Sequence, residues 1–175
     1  MRLTPNYRER TTMKRIIELA TMGLCISTSL ASTAFAQSAR DLVGTWTNVS
    51  NVNIDQDGSR TDVFGPHAKG IAIFESNGHF AIVTINPDTP KFESKRRSHG
   101  TAEENKAAVL GSIALFGTYW VNSKTIFFTV EGSTYPNWTG TEQARAVISF
   151  TGDDLKWSLP ASIGGTAEVA WKRVK

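Results

Sequence analysis

From about residue 43 onward, the chain repeats one pattern: short runs rich in β-branched and aromatic residues, punctuated by Gly, Asn and Asp at intervals of roughly ten. Apolar and polar positions alternate within these runs, which marks strands with one buried face. About eight such runs predict an antiparallel barrel or sandwich. The first spans Val43 to Ile54, and Asp57-Gly58 turns the chain into a short return from Arg60 to Phe64 that Gly65-Pro66 breaks. Gly70 to Glu75 and His79 to Ile85 are joined by Asn77-Gly78, the dipeptide that best tolerates the positive φ of a two-residue hairpin turn. The remaining runs cover Phe116 to Val121, Thr125 to Glu131, Glu142 to Phe150, Leu155 to Leu159 and Ala167 to Val174.

Two stretches break the alternation. Asn86 to Gly100 holds two prolines and the basic cluster Lys95-Arg96-Arg97, and predicts a long loop over one end of the barrel. Thr101-Ala102-Glu103-Glu104 follows as a capping box and predicts one short helix, about 101–112. Val109, Leu110 and Ile113 supply an apolar stripe by which that helix is expected to pack on the barrel. A second long loop, Gly132 to Gly140, carries Pro136 and Trp138.

The run from Glu142 to Phe150 sorts Ala144, Ala146, Ile148 and Phe150 onto one face, with Gln143, Arg145, Val147 and Ser149 on the other. Across the hairpin, Thr129 and Glu131 are grouped with Gln143 and Arg145. If that face points inward the barrel has a polar floor; if outward, the apolar set fills the interior. Alternation alone leaves both open.

The first 36 residues read as an address label. Arg2, Arg8, Arg10, Lys14 and Arg15 form a basic region, Ile16 to Ala31 is largely apolar, and Ala34-Phe35-Ala36 presents small residues for a signal peptidase. Residues 1–36 are therefore expected to be a signal peptide cleaved between Ala36 and Gln37. Met13 is an alternative true start. An uncleaved membrane anchor is not expected, because Glu18 and many Ser and Thr interrupt the apolar run, and residues 37–175 then form a single exported domain, periplasmic or secreted, without a transmembrane span in the mature protein.

Removing that segment changes the electrostatic picture. The net charge of +3 includes five bases and two acids of residues 1–36, leaving 14 of each sign in the mature domain. A nucleic-acid partner loses its main support. Cys25, the one cysteine, leaves as well, so disulfides, thiolate chemistry and cysteine metal sites are excluded from the mature domain. His67, His79 and His99 lack ligand spacing, and no serine sits in a G-x-S-x-G turn. Neither a metal nor a cofactor is expected, and the domain is expected to be a monomer.

Gly44-Thr45-Trp46 at the first strand, with Trp171-Lys172-Arg173 ending the last, resembles the lipocalin arrangement, in which a tryptophan plugs the closed barrel end beneath a basic side chain. Asp57-Gly58-Ser59-Arg60-Thr61, Phe64-Gly65-Pro66, Lys69-Gly70, Pro90-Lys91-Phe92, Gly100-Thr101 with Glu103-Glu104, Phe116-Gly117-Thr118-Tyr119, Glu131-Gly132-Ser133, Pro136-Asn137-Trp138 and Gly140-Thr141 extend the likeness. These segments resemble the bacterial and fungal lipocalin-like domain family from about Leu42 to Leu159. The resemblance implies an all-β, single antiparallel up-and-down calycin-type barrel that holds a small hydrophobic or amphipathic molecule.

Gly44, Trp46 and Arg173 are then the structural residues of the sealed end. Tyr119, Phe128, Glu131, Trp138, Gln143 and Arg145 are the candidate ligand contacts, Trp138 at the rim. Two rival readings remain: a cofactor-independent isomerase or cyclase, with Glu131 and Arg145 as its catalytic pair, and a non-catalytic envelope protein that binds a partner through an exposed apolar patch. When the full-length chain is exported from a bacterial host, N-terminal sequencing is expected to begin at Gln37; a chain retaining residues 1–36 refutes the cleavage.

Overall fold

The structure, a computed structural model, describes residues 38–175, so the expected signal segment and its cleavage site lie outside the described residues. A one-turn helix α1 (Ala39–Leu42) leads into β1 (Gly44–Ile54), β2 (Arg60–Asp62), β3 (Lys69–Phe74) and β4 (His79–Ile85). Helix α2 (Ala102–Leu110) precedes β5 (Ser112–Asn122) and β6 (Thr125–Ser133). A 3₁₀ turn at Pro136–Trp138, then β7 (Glu142–Phe150), β8 (Asp154–Pro160) and β9 (Thr166–Arg173), complete the order. Each strand from β3 to β9 pairs antiparallel with the next, and β9 pairs back onto β1. The result is a closed eight-stranded up-and-down barrel.

Strand β1 closes the barrel because it is long enough for three partners. Its Trp46–Ile54 stretch pairs with β9 on one edge. On its other edge Gly44–Thr47 pairs with β3 and Val52–Ile54 with the short β2. Strands β2 and β3 are thus two segments of one return path, interrupted where Gly65-Pro66 breaks the ladder.

Arginine 173 seals one end. Its guanidinium lies 4.1 Å from the Trp46 ring and donates to the backbone oxygens of Val43 (2.7 Å), Asp41 (2.5 Å) and Gly152 (3.1 Å). The fully buried Trp46 donates its indole N–H to Leu42 O of α1 at 2.9 Å. Residue 44 is glycine for two reasons: its φ is +132°, and a Cβ there would lie 3.0 Å from Arg173 Nη1. Above this plug Phe74, Tyr119, Phe80, Phe128 and Trp157 pack edge-on or tilted, with centroids 4.5–6.1 Å apart.

Three bulges decide which side chains face inward. The shift at Asn48/Ser50 turns Val49 out and lets both Asn48 and Asn51 point in. Another, at Phe116/Gly117, lets β6 run on to Ser133, beyond the expected end at Glu131. The third, at Val147/Ser149, reverses the alternation of β7 near its end: Ala144, Ala146 and Ile148 are exposed, but Phe150 packs 6.1 Å from Trp46. Phe150 therefore departs from the face predicted for it.

Helix α2 also departs from expectation. It begins at the predicted capping box, with Glu104 N donating to Thr101 Oγ1 at 3.2 Å, but Ile113 belongs to β5 and the helix buries none of its residues. Val109 and Leu110 are 70% and 60% exposed. Substituting Arg173 by Met is expected to lower stability by about 2 kcal/mol, through lost charge-assisted hydrogen bonds and the contact with the indole face. Urea unfolding checks this, and an unchanged midpoint would remove the plug as a stabilising element.

Candidate functional site

With the plug at one end, the strand ends opposite it gather the long connections: Asn86–Gly100 with α2, the 3₁₀ turn, and the β8–β9 turn. A cavity of about 660 Å³ lies there. Ile82 and Thr84 of β4, Leu115 of β5, Trp157 of β8, and Val169 and Trp171 of β9 form its inner walls. Phe92, Val109, Leu110, Trp138 and Ile163 surround the mouth. The exposed apolar side chains of α2 thus border the cavity instead of a packed interface, because Gly111 ends the helix just as the chain enters the barrel wall.

Gln143, Arg145 and Val147 point inward, since their β6 neighbours Ile126 and Phe128 are fully buried and directly cross-strand partners share a face. Arg145 lines the cavity and is only 5% exposed. Its Nη2 donates to Gln143 Oε1 at 2.5 Å, its Nη1 donates to Ala144 O at 3.1 Å, and its guanidinium carbon lies 5.5 Å from the Phe128 centroid. Gln143 Nε2 in turn donates to Thr141 Oγ1 at 3.3 Å, which fixes the amide that holds Arg145. Burial pushes the guanidinium pKa down to about 10, which still leaves it charged at neutral pH.

The other candidate residues separate. Phe128 is a fully buried core residue beneath Arg145. Tyr119 sits at the plugged end, where its hydroxyl donates to Glu75 O at 3.0 Å and burial raises its phenol pKa. Trp138 stands at the mouth, edge-on to Tyr135. Glu131 requires a correction: it is exposed on the outer face, while its neighbour Val130 is fully buried. The register sets Thr129 opposite Glu142 and Phe128 opposite Gln143, so grouping Thr129 and Glu131 with Gln143 and Arg145 was wrong by one residue. The barrel wall separates Glu131 from Arg145, and the pair is not brought together.

Residues not predicted from the sequence complete the lining. Asn51 and Thr84 add polar positions. Trp157 and Trp171 are lining indoles whose centroids are 5.7 Å apart. Outside the barrel, Ile71, Ile73, Val83, Ile85 and Phe116 form an exposed apolar strip across β3, β4 and β5. Among the described residues no cluster of His, Cys, Asp or Glu could hold a metal, and no helix is long and apolar enough to cross a membrane.

Residues 43–174 match the family described as the lipocalin-like domain. The 4'-hydroxy-3'-methoxypropiophenone carrier protein of Aspergillus oryzae is 31% identical over 103 residues, which span 51% of this chain and 92% of that protein. Two solved structures also align: a redesigned β-barrel at 15% identity, covering 81% of this chain and 98% of its own (TM-score 0.42), and a de novo designed fluorescence-activating β-barrel at 14%, covering 78% and 96% (TM-score 0.40).

The mouth has its own tie. Glu104 accepts the backbone N–H groups of Glu93 and Thr101, each at 2.8 Å, and these bonds hold its carboxyl below the ordinary glutamate pKa. A lowered pKa means the tie is complete above the ordinary value and is lost as pH falls through the lowered one. Acidification, or Glu104→Gln at neutral pH, is expected to lower the protection of the Glu93 amide against hydrogen exchange, taken relative to the unstructured rate at the same pH; unchanged protection in both cases would show that the loop is held by other contacts.

Proposed function

Because the chain belongs to the lipocalin-like domain family, we propose that it is a carrier or binding protein that encloses a small apolar or amphipathic molecule in the barrel. The observation that carries this reading is the 660 Å³ cavity, walled by Ile82, Leu115, Trp157, Val169 and Trp171 and reached past the mouth residues Val109, Leu110 and Trp138. Such a concave, mostly apolar space with a few placed polar groups is what small-molecule sites share. The Aspergillus oryzae relative, a carrier of 4'-hydroxy-3'-methoxypropiophenone, supports an aromatic molecule as the cargo class.

The reading includes export. Its support is the basic, apolar and small-residue sequence of residues 1–36. The isomerase or cyclase reading finds no support in the lining, whose named acid, Glu131, lies on the other side of the wall.

Titration with the neutral fluorescent probe N-phenyl-1-naphthylamine is expected to saturate at one site. Ala167→Phe, which places a ring in the cavity, is expected to weaken that binding by about tenfold or more while the barrel stays folded by circular dichroism. Equal binding by the variant would put the probe elsewhere, on the outer apolar strip for example, and would overturn the reading.

A further inference from the structure

The cavity lining contains two arginines, Arg97 at the mouth and Arg145 within, and no carboxylate among the described residues. Arg145 enters no ion pair with any described residue. Two of its five N–H donors serve Gln143 and Ala144, and three have no acceptor among the described residues. A buried cation without a counter-charge is costly, and neutral amide oxygens and an aromatic face offset only part of that cost. Gln143 nevertheless holds the guanidinium in place, which pre-organises a fork suited to a carboxylate.

The mouth carries the same sign. Lys91, Lys95 and Arg97 line a recess that adjoins the cavity through Phe92 and Arg97. Between Lys91 and His99 there are four Lys or Arg side chains against the single acid Glu93. The mature domain as a whole is neutral, so this asymmetry is local to the entrance. It favours entry of an anion over a cation or a neutral molecule.

We propose that the cargo is an organic carboxylate: an apolar or aromatic body against Trp157, Trp171 and Leu115, with its carboxylate on the unpaired donors of Arg145. The proposal rests on the carrier reading and adds the charge and position of the cargo's polar group. Binding brings the missing counter-charge to Arg145, and the carboxylate oxygens accept from the donors that have no partner among the described residues. The association rate accordingly falls with ionic strength, while a neutral analogue of the same shape shows no such dependence.

The test compares 2-naphthoate with its neutral methyl ester, read by quenching of tryptophan fluorescence from Trp138, Trp157 and Trp171 of the lining. The wild-type domain is expected to bind the acid about tenfold or more tightly than the ester. Arg145→Leu is expected to abolish that preference while retaining the ester, and Arg145→Lys to keep part of it. Equal affinity of the wild type for acid and ester overturns the carboxylate assignment and leaves the carrier reading intact. Binding of neither probe, together with no saturable signal from N-phenyl-1-naphthylamine, overturns both. Should Arg145→Leu fail to fold, Arg145→Lys, which keeps the charge and loses the fork, decides the position: an acid preference unchanged in that variant, or one that survives in a folded Arg145→Leu domain, places the carboxylate away from Arg145 and refutes the proposal.

Discussion

Closure of β9 onto β1 is the constraint from which the rest of the domain follows. A sheet that twists and coils removes both of its edges by joining its first and last strands, and that joint forces a fixed division between interior and surface. The joint is placed at the plugged end by Gly44, Trp46 and Arg173, which bring the N-terminal turn, the first strand and the last strand to one guanidinium. Once one end is filled in this way, aromatic packing occupies the lower barrel, and the remaining volume lies toward the long connections.

The interior is not wholly apolar. Asn48, Asn51, Asn53, Thr84 and Arg145 are all buried. Asn51 donates to Asn48 and Asn53 donates to Asp55, but Asn53 Oδ1 and the Trp171 indole N–H have no partner among the described residues. Unsatisfied buried groups lower stability, and replacing such polar positions with well-packed hydrophobic ones is often neutral or stabilising. Of these residues, Asn51, Thr84, Arg145 and Trp171 line the cavity.

Much of the barrel was legible in the sequence because period-two alternation, the Asn77-Gly78 turn and the Thr101–Glu104 capping box are local signals with local causes. The strand from Glu142 to Phe150 has the bounds its alternation indicates. The lining was less legible. Whether Glu131 faces in or out depends on the β6–β7 register, which a loop of irregular conformation sets, and Phe150 changes face at a bulge with no signature of its own. Alternation along Glu142 to Phe150 singles out Arg145 as a polar candidate, but its burial and lack of a counter-charge appear only once the barrel closes around it. The role of Val109 and Leu110 was hidden for another reason: an apolar pair on a helix reads the same whether it packs on a wall or borders an opening.

The wall of this barrel is one side chain deep, so adjacent residues of β6 belong to different environments: Phe128 and Val130 inside, Thr129 and Glu131 in solvent. Inserting or deleting one residue within such a strand exchanges lining for surface along the rest of its length. The connections around the mouth have no such parity, and their lengths can change without turning a strand over. In this architecture the shape of the cavity can therefore change through loop insertions at the mouth and same-length substitutions in the wall, which makes 86–100 and 133–141 the segments that can be rebuilt with the barrel left as it is.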